Sequence, residues 1–118
     1  MAPAPGETVV TKTKPGAFST TGLDIMLREM GVDTVILMGV ATSGCVLSTI
    51  RWAVDINYKP FVVVDACSDP DPEVHRVLTE KVYPRNAIAE DAGFKPAMQT
   101  ILHNAQYPSH ITLPIVLR

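Results

Sequence analysis

The sequence is poor in cysteine and in long apolar runs, and it contains no basic stretch. Its 118 residues include only two cysteines, too few for a disulfide scaffold. The longest apolar run, residues 35–41, is far shorter than the roughly 20 residues that span a bilayer. The net charge of −2 and the lack of basic clusters argue against nucleic acid and membrane surfaces as partners. A soluble globular domain is therefore expected.

The first ten residues, MAPAPGETVV, lack the basic and apolar regions of a secretory signal. We therefore expect a cytoplasmic protein in a reducing compartment, where thiols stay free. The length predicts one domain, which we assign to residues 5–118. The pattern after about residue 87 is atypical: it predicts one helix over 96–105, and Pro114 argues against a central strand at the C-terminus.

Hydrophobic patterning predicts an α/β fold. Apolar spacing predicts a helix from Leu23 that ends at Gly31. Thr21, with Asp24 three residues on, fits a capping box that has Asp in place of the usual Glu. Residues 33–40 and 60–66 are continuous apolar runs, typical of parallel strands covered on both faces. A second helix lies between them. A third follows, with Asp71 as its cap, Pro72 in its first turn and an inward face of Val74, Val77 and Leu78. This order predicts a three-layer α/β/α sandwich with a mostly parallel sheet.

The stretch GVATSGCV, residues 39–46, joins the first long strand to the second helix and places Cys45 at the junction. Ligands of open α/β sheets bind beyond the carboxyl ends of the strands. A thiol at a helix N-terminus also faces N–H groups that favour the thiolate, and small neighbours let those amides form an oxyanion hole. Two interpretations follow: Cys45 is a nucleophile for acyl transfer, or it is a small buried hydrophobe.

GVATSGCV and the upstream residues Lys12, Ala17, Phe18 and Thr21 together resemble the isochorismatase-like cysteine hydrolases. That superfamily includes nicotinamidases and N-carbamoylsarcosine amidases, and the similarity covers about residues 5–87. The resemblance implies an isochorismatase-like fold. It also implies hydrolysis of the amide C–N bond of a small-molecule substrate through a thioester.

The resemblance also implies roles for individual residues. Cys45 would be the nucleophile and Lys12 the catalytic lysine beside it, with Lys14 the alternative. The N–H groups of Ala41 and Cys45 would form the oxyanion hole. The peptide bond between Val40 and Ala41 would be cis.

The substrate pocket is expected to include Phe18 and Thr42, although a core role for Phe18 is equally compatible with the pattern. Asp65 is assigned to the edge of the site or to a cap of the following loop, and Cys67 to a structural or bystander role. His75 is assigned to the surface or to a helix cap, on a helix that faces away from the loop. We read the acidic run DPDPE as a solvated helix start.

The family's first strand, which carries its catalytic aspartate, has no counterpart in this sequence. We therefore expect a sheet that lacks this strand. The alternative function is a catalytically impaired or inactive member, or a fragment, with a binding or oligomer role. Because the metal ligands of the family also come mostly from that region, we expect no metal and no cofactor. The expected partners are a small-molecule substrate and further copies of the chain, with Trp52 in packing or in an oligomer contact.

Overall fold

The computed structural model describes residues 5–90 and 116–117, which contain five strands and three α-helices. The strands are β1 (Val9–Val10), β2 (Thr34–Val40), β3 (Lys59–Ser68), β4 (Ile88–Glu90) and β5 (Val116–Leu117). The helices are α1 (Leu23–Glu29), α2 (Leu47–Asp55) and α3 (Pro72–Val77). The longest of these helices has nine residues, and no helix in this part of the chain is long and apolar enough to span a membrane.

The strands form two parallel sheets. One sheet has the order β2-β3-β4, and the other pairs β1 with β5. The predicted α/β class and mostly parallel sheet are confirmed. Within the described residues, β2 is an outer strand, and no strand pairs with its second edge. The predicted helix over 96–105 lies outside the described residues.

Burial on both faces explains why β2 and β3 are continuously apolar. Val35 and Leu37 of β2 belong to the main core with residues of α1 and α2. Ile36, between them in sequence, packs with Phe61 and Val63 in a second cluster. Successive side chains of a strand point to opposite faces, so a strand covered on both sides has no position for a polar residue. The prediction of doubly covered strands is confirmed.

The pairing of β2 with β3 changes register near the carboxyl end of β2. Leu37 pairs with Val62, whereas Gly39 pairs with Cys67, so β3 advances five positions while β2 advances two. Gly39 adopts a φ of +126°, which is accessible to glycine and strained for other residues. The extra length of β3 places Cys67 beside the last residues of β2.

Helix α1 follows the prediction in its extent and differs in its capping. Gly31 ends the helix with a φ of +69°, as predicted. The predicted capping box is wrong: Gly22 occupies the N-cap position, and no side chain caps there. The Thr21 hydroxyl instead donates to the Ala17 carbonyl at 2.6 Å and accepts from the Leu23 amide at 3.2 Å. Thr21 therefore ties the helix start to the preceding loop.

Helix α3 begins as predicted, with Asp71 accepting from the Glu73 and Val74 amides. Its inward face is partly wrong, since Val74 is 36% exposed. A π-helical turn, Leu78–Val82, follows α3 at once. The wider turn rotates the later side chains relative to an α-helical pattern, and Thr79 is buried. The chain then enters a short 3₁₀ helix at Tyr83, whose side chain is fully buried.

Candidate active site

Cys45 lies in a π-helical turn, Thr42–Val46, between β2 and α2. We call this segment the Cys45 turn. The sequence correctly predicts the strand-to-helix junction but not its π-helical form. The Ala41 carbonyl accepts hydrogen bonds from the amides of Gly44 at 3.1 Å and Val46 at 3.3 Å, which closes the turn. Cys45 is a free, half-buried cysteine at the carboxyl end of a parallel strand, where α/β proteins bind ligands.

Three hydrogen bonds fix the first two residues of the Cys45 turn. The buried Tyr83 hydroxyl donates to the Thr42 carbonyl at 2.6 Å. The Thr42 hydroxyl pairs with Nδ1 of His75 at 2.8 Å. The Ser43 amide donates to Oδ2 of Asp69 at 2.7 Å. All three partners come from the segment that follows β3, so that segment shapes the turn.

These contacts correct two sequence interpretations. His75 does not face away from the loop, because its ring binds Thr42. The DPDPE run is more than a solvated helix start, since Asp69 binds the Ser43 amide. The sequence does hold a signal for Asp69: it directly follows β3, and parallel strands end at the same edge of a sheet. Tyr83 carries no such local signal, because 41 residues separate it from Thr42.

Thr49 connects the Cys45 turn to the loop that precedes α1. Its hydroxyl donates to the Cys45 carbonyl at 2.7 Å and accepts from the Ala17 amide at 3.1 Å. Thr49 and Ala17 are both buried. One hydroxyl therefore holds the loop that follows Lys12 against the turn that carries the thiol.

The structure does not join Lys12 to Cys45 by a hydrogen bond. Its ammonium group donates to the Lys14 carbonyl at 3.3 Å. The catalytic roles of Lys12 and Cys45, and an oxyanion hole formed by the amides of Ala41 and Cys45, stay predictions. The peptide bond between Val40 and Ala41 is cis in the structure.

The two predicted pocket residues are both buried. Phe18 is 6% exposed and stacks on Tyr58 with ring centroids 5.6 Å apart. Thr42 is fully buried, and its hydroxyl is paired with His75. Their contact with a substrate stays a prediction.

Several ionisable groups near the Cys45 turn have shifted pKa values. Burial raises the pKa of Tyr83, and the charges of Cys67, Asp69 and Cys45 add to that effect, so the phenol stays a neutral donor. Burial also raises the pKa of the Cys67 thiol. Hydrogen bonds from Ser43, with a smaller effect of His75, hold the pKa of Asp69 below its ordinary value. Asp69 is therefore an ionised acceptor at neutral pH.

A surface cavity of about 550 Å³ lies between β3 and the segment that contains α3. It borders Cys67 and His75 and is also lined by Asp65, Arg76 and Glu80; Cys45 and Lys12 are not part of its wall. Across the described ranges, no group of three or more His, Cys, Asp or Glu side chains is arranged to hold a metal ion. That the protein binds no metal stays a prediction.

Comparison with known proteins matches residues 1–92 to the isochorismatase domain. The uncharacterized isochorismatase family protein YwoC of Bacillus subtilis is 40% identical over 80 residues, which cover 68% of this chain and 42% of YwoC. The N-carbamoylsarcosine amidase of an Arthrobacter species is 34% identical over 74 residues, 63% of this chain and 28% of the amidase. The chain thus spans less than half the length of these curated relatives.

The fold comparison agrees with the sequence match. The crystal structure of an isochorismatase family protein from Desulfovibrio vulgaris superimposes with a TM-score of 0.76 at 32% identity. The superposition covers 87% of this chain and 53% of that structure. The position of Cys45 after a doubly buried parallel strand, the domain match and the shared fold lead to one conclusion: this chain belongs to the isochorismatase family.

Proposed function

We propose that the chain supplies the nucleophile of an amide hydrolase, with Cys45 attacking the carbonyl carbon of a small amide. The observation that carries the proposal is the position of Cys45, a half-buried thiol in a π-helical turn at the carboxyl end of β2. The likeness to an N-carbamoylsarcosine amidase supports an amide C–N bond as the target. Acyl transfer also requires donors for the oxyanion, and the amides of Ala41 and Cys45 are the donors that we propose.

The proposed reaction has two stages. The Cys45 sulfur, as thiolate, bonds to the carbonyl carbon, and the N–H groups of Ala41 and Cys45 hold the resulting oxyanion. The C–N bond then breaks, and the leaving nitrogen takes up from solvent a proton equivalent to the one that the thiol released. It departs as an amine or ammonia and leaves a thioester on Cys45. Water attacks the thioester, releases the carboxylic acid and returns the sulfur to its starting state.

The thiol must lose its proton before the attack. The question of which group accepts that proton leads to a second candidate function. Among the described residues, no carboxylate hydrogen-bonds the Cys45 thiol, and Lys12 donates to the Lys14 carbonyl. A missing general base typically costs about 10²–10⁴-fold in rate. The alternative is therefore a catalytically impaired member that keeps a binding or oligomer role.

The test measures ammonia release from N-carbamoylsarcosine and nicotinamide by the full chain. We expect turnover by the wild type and a fall of at least about 10³-fold for Cys45→Ala, because the nucleophile is lost. Cys67→Ser is the matched control, since Cys67 is the other free cysteine, and it should keep its activity. Intact-mass spectra of the quenched reaction should show an acyl adduct on Cys45.

Alkylation separates the two candidate functions. Iodoacetamide should modify Cys45 in the wild type, with a pH dependence that changes in Lys12→Ala if the ammonium group assists the thiolate. An alkylation profile of an ordinary thiol near pH 8.5, unchanged in Lys12→Ala and accompanied by no amide turnover, would support the impaired member.

We also propose that the chain forms a homo-oligomer. Trp52 on α2 is 45% exposed, and large aromatic side chains are enriched at protein interfaces. Sedimentation velocity of the wild type should show a mass above 12.8 kDa, and Trp52→Glu should lower it. A wild type that sediments as a monomer would contradict this proposal.

A further inference from the structure

We propose that Asp69 and Tyr83 are positioning residues, which act on the reaction through the backbone of the Cys45 turn. This inference rests on the proposed function. Both side chains lie after β3, and each binds a main-chain group of the turn: Asp69 binds the Ser43 amide and Tyr83 the Thr42 carbonyl. Neither residue hydrogen-bonds the Cys45 sulfur, and the contacts that link them to the turn are these two bonds to its backbone.

In the sequence of the turn, the residues that carry these two bonds lie between the proposed donors of the oxyanion hole. Only Thr42, Ser43 and Gly44 lie between the two proposed oxyanion donors, the amides of Ala41 and Cys45. Thr42 and Ser43 are both fixed from outside the turn, and Gly44 has no side chain with which to be held. The two external bonds therefore help to set the angle between the donor amides.

The Tyr83 bond is protected from competition with water. The side chain of Tyr83 is fully buried, Thr42 is fully buried, and the oxygen atoms lie 2.6 Å apart. Removing the hydroxyl leaves the Thr42 carbonyl without this donor in a buried position, which favours a different orientation of that peptide. His75 adds a third contact by holding the Thr42 side chain at 2.8 Å.

The Asp69 bond holds the other end of the same peptide group, because the Thr42 carbonyl and the Ser43 amide belong to one peptide bond. Its carboxylate is held ionised by hydrogen bonds from Ser43, and a charged acceptor binds an N–H group more strongly than a neutral one. With its amide committed to Asp69, Ser43 is removed from the set of donors that face a substrate. The bond therefore selects which amides of the turn stay available as well as fixing their direction.

The test compares Tyr83→Phe and Asp69→Ala with two controls in the full chain. Tyr58→Phe also removes a hydroxyl from a buried tyrosine, but that hydroxyl binds Asp24, away from the turn. Asp71→Ala also removes a carboxylate that binds amides, but those amides belong to α3. Asp69→Asn is the conservative variant, since its carboxamide oxygen still accepts from Ser43.

Two readouts are measured for each variant: kcat and KM for ammonia release, and hydrogen–deuterium exchange of the peptide covering residues 40–47. We expect Tyr83→Phe and Asp69→Ala to lower kcat by about 10–100-fold with KM within about threefold, because displaced donors lose alignment in the transition state. Exchange in the turn should accelerate in both. Asp69→Asn should recover most of kcat, and the two controls should stay near the wild type in both readouts.

The outcomes separate this inference from the proposed function. If Tyr83→Phe and Asp69→Ala match their controls in exchange and in kcat, the two residues do not position the turn. A loss in Asp69→Asn equal to that in Asp69→Ala would also overturn the role of the hydrogen bond. If the wild type releases no ammonia, the proposed function fails on its own, and the exchange measurement alone decides: acceleration confined to Tyr83→Phe and Asp69→Ala supports the positioning role, and equal exchange in all variants overturns it.

Discussion

Replacing Gly39 by alanine adds one methyl group at the end of β2, where the backbone has a φ of +126°. Within the described residues, and apart from the two neighbours of Gly39 in sequence, no atom lies within 4 Å of the position that the new Cβ would occupy. Steric contact with neighbours therefore does not change the free energy of unfolding, and the expected change comes from the backbone conformation. This isolates a single physical quantity, the energy of forcing an L-residue into a region that glycine visits freely.

That energy is about 1–3 kcal/mol for a residue in a sparsely populated backbone region. Gly44→Ala is the matched control, because it adds the same methyl group five residues further along the chain, where the new Cβ again meets no atom of the described residues within 4 Å apart from its two neighbours in sequence. Gly44 lies in a helical turn without a positive φ, so the substitution there should stabilise by about 0.4–1 kcal/mol through the unfolded state. The same chemical change is thus expected to have opposite signs at the two sites.

Urea unfolding followed by circular dichroism measures both effects. With an m-value of about 1–2 kcal/mol/M, a cost of about 1–3 kcal/mol means that Gly39→Ala should lower the unfolding midpoint by about 0.5–3 M, whereas Gly44→Ala should raise it slightly. A Gly39→Ala protein within about 0.5 kcal/mol of the wild type would refute the reasoning, and so would an equal loss in both variants.

Three further predictions concern stability and ionisation. Asp71→Ala should cost about 1 kcal/mol in urea unfolding, since α3 loses its N-cap. Thr49→Val should cost about 1–3 kcal/mol, because it leaves the buried Ala17 amide and the Cys45 carbonyl without their hydroxyl partner, whereas Thr49→Ser should keep most of the stability. The pKa of Tyr58 is raised to about 12 by burial, so an absorbance titration at 295 nm, with Tyr58→Phe as reference, should show it ionising well above pH 10. Because the folded pKa exceeds the unfolded one, this contribution to stability is complete below about pH 10 and is lost as the pH rises toward 12.

Local patterns were sufficient for the elements that position the thiol. The continuous apolar runs predicted β2 and β3 as strands buried on both faces, and the small residues after β2 predicted the junction at Cys45. Both patterns involve only residues that are close in sequence, and hydrophobic periodicity and turn propensity are determined by such residues.

The parts that were missed depend on residues distant in sequence. No local pattern indicates that the Tyr83 hydroxyl reaches Thr42 or that β3 gains extra residues between Val62 and Cys67. The π-helical turn that begins at Leu78, directly after α3, was missed as well, and α-helical spacing does not apply within it. The capping box at Thr21 failed because its hydroxyl accepts from the Leu23 amide, and Gly22 takes the N-cap position.

The distance between Thr42 and Tyr83 along the chain has a consequence for biosynthesis. A ribosome that has made β2 and α2 still has to add β3, α3 and the turn after it before the phenol that binds Thr42 exists. A nascent polypeptide that ends before Tyr83 carries the thiol on a turn that lacks the hydrogen bond from the Tyr83 hydroxyl. Maturation of the reactive centre therefore has to wait until Tyr83 has left the exit tunnel.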